Sequence, residues 1–393
     1  MEEVVNIEKA YSSFHMGLPC ATIQIGSEIP WQEKEDLSIQ SIEISSTVEK
    51  ISSNCRIVLN RPQIDYTKSG VLQDGPELSV IKQGEAISVR LGYSVRETET
   101  NKFYDAFKGF ISSVQVSYGN DGATVVLDCM DAKMWMMAGC KTEEKKGNKY
   151  STIVRSVLQQ ASYTKTQKIL KSTVSIGQEP NLNQSIYQIN ESDYSFLCRL
   201  SKITGCLFFV YLGEVYFIDI DKYKLNIKLC LSPCGFMENI KWKSNVLGLS
   251  NKVTVNGIDP LNPSKEVQAK IVKKLTNIGI SGSEPTKVSK NIDEATSKSI
   301  KDESVNTVSY AKFIAQSHFT RDSIKFISCV ANIPGLPLES IGLKLGMGVQ
   351  ILGYSKSINN NYILMGVKHK FAKHGKLGYY EFKTELTLAT DTC

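Results

Sequence analysis

Two carboxylates stand two residues apart at Glu191 and Asp193, inside the run Gln188-Ile-Asn-Glu-Ser-Asp-Tyr. A carboxyl pair can divide general-acid and general-base work, which is all that glycoside hydrolysis needs. The thiols Cys230 and Cys234 in "CLSPC" have a spacing that zinc tolerates, yet no second Cys or His pair lies nearby to complete four ligands. His369 with His374 in "HKFAKH", and His15 with Cys20 in "FHMGLPC", fail the same test. With His318 these are all four histidines, and the chain has no HExxH, no GxSxG and no Cys–His pair in a nucleophile context. The expectation is a protein that is not an enzyme, with no catalytic residue, no metal and no cofactor.

The element that holds Glu191 and Asp193 gives them a different use. Asn190 or Ser192 is placed to cap a helix, and acids in its first turn complement the positive end of the helix dipole. Phe196, Leu197, Leu200 and Ile203 recur at helical spacing, Lys202 sits near the end, and Gly205 suits the stop. A hairpin follows, "CLFFVYL" and "VYFIDI", turning around Gly213-Glu214. The predicted unit is helix, glycine stop, hairpin: a packing module. Before it, "KTEEKKGNKY" at 141–150 reads as a charged linker, and "YSTIVRSVLQQA" reads as a helix capped by Ser151 or Thr152.

Around that module the chain alternates apolar and polar residues, which predicts strands. Such runs occupy 37–45, 87–93, 110–118 and 123–129, with Asn120-Asp121-Gly122 as a hairpin turn between the last two. A second set ends the chain: "NYILMGVKHKFA", the turn "KHGKLG", then "YYEFKTELTLA". The stretches "GEAISVRLGY" at 84–93 and "GMGVQILGY" at 346–354 close on the same tripeptide. Gly109 follows Gly92 by 17 residues and Gly366 follows Gly353 by 13; Asp131 and Asp391 close the two sets. Four landmarks in one order predict an internal duplication of an antiparallel β unit.

Composition limits the alternatives. Hydrophobic content is 41% and charged content 22%, as in folded globular proteins, and 393 residues suffice for two or three domains. The net charge of +6 is spread among many acids, which reads as a solvated lysine-rich surface and not as a specific nucleic-acid site. The start "MEEVVNIEKA" has no apolar core of a signal peptide, and "CLFFVYLGEVYFIDI" is too short to span a bilayer. Ten scattered cysteines fit reduced thiols of a protein made in the cytosol.

The run 188–200 with Gly205 and the aromatic strands after it resembles the signature of contractile-injection hub proteins: phage late-control D proteins, baseplate hubs and the hub part of VgrG-type spikes. Gln188, Glu191, Ser192, Asp193, Tyr194, Phe196, Leu197, Arg199, Leu200 and Gly205 occupy the places of that motif. The stretch 309–338, "SYAKFIAQSHFTRDSIKFISCVANIPGLPL", looks like the family's helix leading into a second barrel. The resemblance implies a mainly β fold with an α+β linking domain: two tail-tube-like antiparallel β-barrels plus a smaller helix/hairpin domain. The expected boundaries are 1–34, an N-terminal segment; 35–140, the first barrel; 141–235, the linking domain; and 236–393, the second barrel. The last carries a polar insertion at about 282–320, expected to be a mobile or helical excursion.

Three chains with two barrels each imply a homotrimeric ring of six barrels, which adapts a sixfold tail tube to a threefold spike. The implied contact is head-to-tail, barrel one of a chain against barrel two of the next, closed through the strand at 84–93. The implied partners are the tube protein above, a spike on a separate chain below, baseplate wedge proteins and a tape-measure protein. The implied place is a phage tail or tailocin baseplate assembled in the bacterial cytoplasm, without membrane insertion. A tail-associated cell-wall hydrolase and a cell-surface-binding tail protein are the competing readings.

Overall fold

The computed structural model describes residues 4–12, 17–26, 38–48, 52–61, 81–95, 100–119, 122–166, 168–182, 185–220, 226–245, 252–259, 262–272, 297–301, 305–324, 326–374 and 378–390. The chain is mainly β, because period-two alternation turns one face of each strand to a core and the other to water. From the N-terminus come β1 (Val5–Asn6), β2 (Leu18–Ile25), β3 (Ser38–Thr47), β4 (Asn54–Arg61), β5 (Ala86–Val95), β6 (Thr100–Gly119) and β7 (Gly122–Met130). The middle holds β8 (Lys141–Lys145), β9 (Lys171–Ser175), β10 (Ile186–Glu191), β11 (Leu207–Tyr211), β12 (Glu214–Ile218) and β13 (Ile227–Leu231). The last third holds β14 (Asn239–Ser244), β15 (Lys252–Asp259), β16 (Asn262–Val272), β17 (Ser297–Lys301), β18 (Ile327–Pro334), β19 (Gly348–Ile351), β20 (Asn360–His374) and β21 (Tyr379–Thr390). The helices are α1 (Ile7–Ser12), α2 (Lys133–Met137), α3 (Tyr150–Leu158), α4 (Ala161–Thr164), α5 (Asp193–Thr204) and α6 (Val308–Ser323).

One strand order is written twice. In the first set the strands lie β5-β6-β7-β4-β3, every neighbour antiparallel. In the second they lie β19-β20-β21-β18-β14, again all antiparallel. Each set therefore runs, in chain order, an antiparallel pair followed by a three-strand meander whose last strand returns to the pair.

A shared ladder joins the two sets. The cause is a length mismatch: β20 has fifteen residues and β19 has four. Beyond the short β19, Gly366–Ala372 of β20 pair with Thr47–Ser41 of β3. Phe371 and Phe382 of the second set accordingly pack in the core of the first. Tyrosine hydroxyls tie the junction as well: Tyr93 donates to the Gly335 carbonyl at 2.6 Å and Tyr380 to that of Ile39 at 3.0 Å.

Several expected boundaries move. The N-terminal segment supplies β2, which pairs with β5. The linking domain gives up β13, which pairs parallel to β19 inside the large sheet. The linker at 141–150 holds β8, paired with β10. Residues 252–272 leave the second set altogether: β15, β16 and β17 form their own sheet, against which α6 packs its Ala311, Ile314, Ala315 and Phe319. Of the polar insertion, Ser297–Lys301 is a strand parallel to β15, while 282–296 and 302–304 lie outside the described residues. His15 and the turn residues Asn120 and Asp121 also lie outside them. Among the described residues no helix is long and apolar enough to cross a membrane.

Candidate functional site

Glu191 ends β10 and Asp193 opens α5, with Ser192 between them as the cap. The Ser192 backbone is extended, and its Oγ accepts from the Ser195 N–H at 3.1 Å. That leaves Asn190 outside the cap: it has φ 47°, and its N–H donates to Thr142 Oγ1 at 3.1 Å. The helix buries Phe196, Leu197 and Leu200 completely, in a core shared with α3 and the β11–β12 hairpin. Gly205 ends it at φ 70°, and a Cβ there would sit 2.8 Å from the Ser317 Cα of α6. The glycine is thus required both by its backbone and by close helix approach. The hairpin turns on Leu212 and Gly213, both at positive φ, one residue before the expected Gly213-Glu214.

The cap places the two carboxylates in separate cages. Asp193 is 2% exposed; its carboxylate accepts from Lys141 Nζ at 2.8 Å, Gln188 Nε2 at 3.0 Å and the Tyr163 hydroxyl. Glu191 takes the Arg199 guanidinium in a fork, Nε to Oε1 at 3.0 Å and an Nη to Oε2 at 2.8 Å. The same Nη donates to the Tyr187 carbonyl at 2.6 Å, and the guanidinium lies 5.1 Å from the Phe196 ring. Burial alone would raise the Asp193 pKa, but the hydrogen bonds of Lys141, Tyr163 and Gln188 outweigh it and hold the carboxyl below its ordinary value. A general acid needs the opposite shift. Gln188, Glu191, Ser192, Asp193 and Arg199 together lock strand to helix.

A second buried pair lies alongside. Asp131 and Lys133 are each 1% exposed. Asp131 accepts from the Ser53 N–H at 2.6 Å and the Lys133 N–H at 2.9 Å, and Lys133 Nζ sits 5.3 Å from the Phe208 ring. Burial pushes the carboxyl up and the ammonium down. Among the described residues the histidines do not converge. His369 is buried against Thr384 Oγ1 at 3.0 Å, whereas His374 lies on the strand's other face against Tyr379. Cys230 lies in β13, where burial pushes its thiol up, and Cys234 lies beyond the strand's end. Among the described residues no three His, Cys, Asp or Glu side chains gather as a metal site.

Gly109 and Gly366 share the middle strand of the three-strand meander, β6 and β20, but not the position: Gly109 pairs with Ile87 where Tyr362 pairs with Val349. Gly92 and Gly353 are not equivalent. Gly92 is extended within β5, where a Cβ would meet the Lys102 carbonyl oxygen at 1.8 Å; Gly353 turns at φ 84° beyond the end of β19. The shared tripeptide is a coincidence one residue out of step. Asp391 lies outside the described residues, and the place of Asp131 is taken by Thr390, since Ile327↔Thr390 matches Ser53 beside Asp131.

The true match is the glycine that opens each quoted stretch. Gly84 and Gly346 have φ of 84° and 83°. Gly84 N–H donates to the Ile111 carbonyl at 2.8 Å, and Gly346 N–H to that of Leu364 at 2.8 Å. The Ile111 N–H returns to Glu85 at 3.0 Å, as Leu364 returns to Met347 at 2.9 Å. Glu85 closes on Lys82 at 3.3 Å and Met347 on Lys344 at 3.1 Å. The signal was present in sequence as Lys-x-Gly at 82–84 and 344–346, and alignment on the final tripeptide passed over it. The strand at 84–93 offers no free edge, since β5 lies between β2 and β6.

Two antiparallel sets of one topology, joined by a helix/hairpin module, define a fold seen in bacteriophage tail proteins. The 43 kDa tail protein of prophage MuSo2 from Shewanella oneidensis matches with a TM-score of 0.63 at 14% identity, over 94% of this chain and 98% of that one. The tail protein from Neisseria meningitidis MC58 matches with 0.65 at 12% identity, over 95% and 97%. The E. coli c3393 protein, a component of the type VI secretion system, matches with 0.54 at 11% identity, over 94% and 76%. No curated protein matches the sequence. Residues 20–228, from β2 into β13, match the family described as the Alg8 N-terminal domain, and the chain belongs to that family.

Proposed function

We propose that the protein is a structural component of a phage-type tail, the hub of its baseplate, and that three copies close into a ring. The observation that carries this reading is the strand order written twice in one chain. Three such chains present six similar units at near-equivalent angles, and so meet a sixfold tube on one face and a threefold spike on the other. The likeness of fold to the prophage MuSo2 tail protein and the Neisseria tail protein supports the same role. The partners under this reading are the tube protein, a spike on a separate chain, wedge proteins and a tape-measure protein, within a phage tail or tailocin baseplate. Turnover is not part of the role: Glu191 and Asp193, the carboxylate pair singled out in the sequence, are locked by Arg199, Lys141, Tyr163 and Gln188. Sedimentation equilibrium of the purified chain tests the reading, with three chain masses expected; a species that stays monomeric at every concentration overturns it.

A further inference from the structure

The junction inside the chain is a template for the junction between chains. At the internal seam β3 of the first set pairs with Gly366–Ala372 of β20 in the second. If the two sets are equivalent, a ring must repeat that joint between β14 of one chain, the counterpart of β3, and the matching part of β6 in the next. Among the described residues neither edge carries a second strand. Among the described residues β14 pairs only with β18, and Ser113–Gly119 of β6 pair only with β7.

The register transfers residue by residue. A bulge interrupts β6–β7 between Ile111 and Ser113, and another interrupts β20–β21 between Leu364 and Gly366. The matched glycine-turn hydrogen bonds onto Ile111 and Leu364 fix the same alignment independently. Ser113 therefore corresponds to Gly366, Val116 to His369, Ser117 to Lys370 and Tyr118 to Phe371. On the other partner, Cys55 and Cys329 face Ile44 and Trp242 respectively, so Trp242 corresponds to Ile44, Lys241 to Glu43 and Ile240 to Ile42.

The side chains agree with a buried joint. Ile42 and Ile44 are fully buried and Phe371 and His369 are 1% and 3% exposed at the internal seam. At the open edges the counterparts are still apolar: Val116 is 36% and Tyr118 49% exposed, on the face of β6 opposite buried Val125 and Ala123. Ile240 and Trp242 are half-buried on the core face of β14, and the Trp242 Nε1 is buried without a hydrogen bond. Open, apolar edge strands invite pairing with another chain.

Resting on the ring reading, we infer that β14 of one chain adds antiparallel to the C-terminal half of β6 of the next, with Trp242 opposite Val116, Lys241 opposite Ser117 and Ile240 opposite Tyr118. The occupant of each edge is a second copy of this chain, and the contact is heterologous, so it closes a ring and not a dimer.

A disulfide scan of the full chain tests the register. Ser117→Cys with Lys241→Cys places two exposed thiols at the proposed joint; Glu43→Cys with Lys370→Cys places two at the equivalent internal position. After mild oxidation, the internal pair is expected to bond without any gain in mass. The proposed pair is expected to give covalent dimers and trimers on non-reducing electrophoresis, above the background of the unsubstituted chain. A trimer in sedimentation that forms no bond between the thiols introduced at positions 117 and 241 overturns this inference and leaves the ring standing. A chain that remains monomeric overturns both.

Discussion

His369 makes the internal seam sensitive to acid, and replacing it gives a quantitative test. Its ring lies on β20 directly opposite Ile44 of β3, 3% exposed, beside the Phe382 ring at 5.6 Å. Burial pushes its pKa down from 6.5 to about 4. The unfolded chain therefore binds the proton at higher pH than the folded one. The stabilisation is fully present above about pH 6.5 and is lost as pH falls toward about 4. Linkage between those two values gives a loss of about 2 kcal/mol from pH 7 to about pH 5, and about 3 kcal/mol by about pH 4. His369→Val introduces the side chain found at the matching place, Val116, and removes the titration. Thr384 Oγ1 keeps its bond from the Leu336 N–H at 2.9 Å. Denaturant unfolding of both proteins along a pH series should show the wild type losing about 2 kcal/mol more than the variant over the upper interval. Parallel pH profiles would refute the reasoning, because the buried imidazole would then not be the group that titrates.

Other outcomes follow from the same packing. Truncating Phe196 or Leu200, both fully buried, to Ala should cost about 2–5 kcal/mol in chemical denaturation. Gly92→Ala, whose Cβ would lie 1.8 Å from a carbonyl oxygen, should destabilise by about 1–3 kcal/mol or more. Gly366→Ala, with nearest contact 3.4 Å, should stay within about 1 kcal/mol of the parent by the same assay. Lys141→Met leaves Asp193 with two donors in place of three, so its carboxyl pKa should rise and stability fall by about 1–3 kcal/mol; a carboxyl titration by NMR reads the first effect directly.

The helix/hairpin module was legible because its signals are local. Ser192, the apolar spacing from Phe196 to Leu200 and Gly205 each act within a few residues of their own position. The roles of Glu191 and Asp193 were legible only in part. Arg199 lies eight residues from Glu191, but Lys141 and Tyr163 reach Asp193 from β8 and α4, and no sequence spacing announces those contacts. Alternation likewise identified strands without assigning them to sheets. The separate β15–β16–β17 sheet and the seam of β3 on β20 depend on strand length and long-range register, which period-two patterning does not encode. The duplication was visible for a reason other than the one that first suggests it. A shared tripeptide can recur by chance, whereas a turn whose glycine at positive φ donates to the facing strand, and whose next residue accepts from it in return, cannot move by one residue.

Electron micrographs of the assembled protein viewed down its ring axis test the central claim most directly. The account predicts averages with threefold symmetry and six similar lobes, two from each chain. Three lobes only, or six lobes built from six chains, would contradict it.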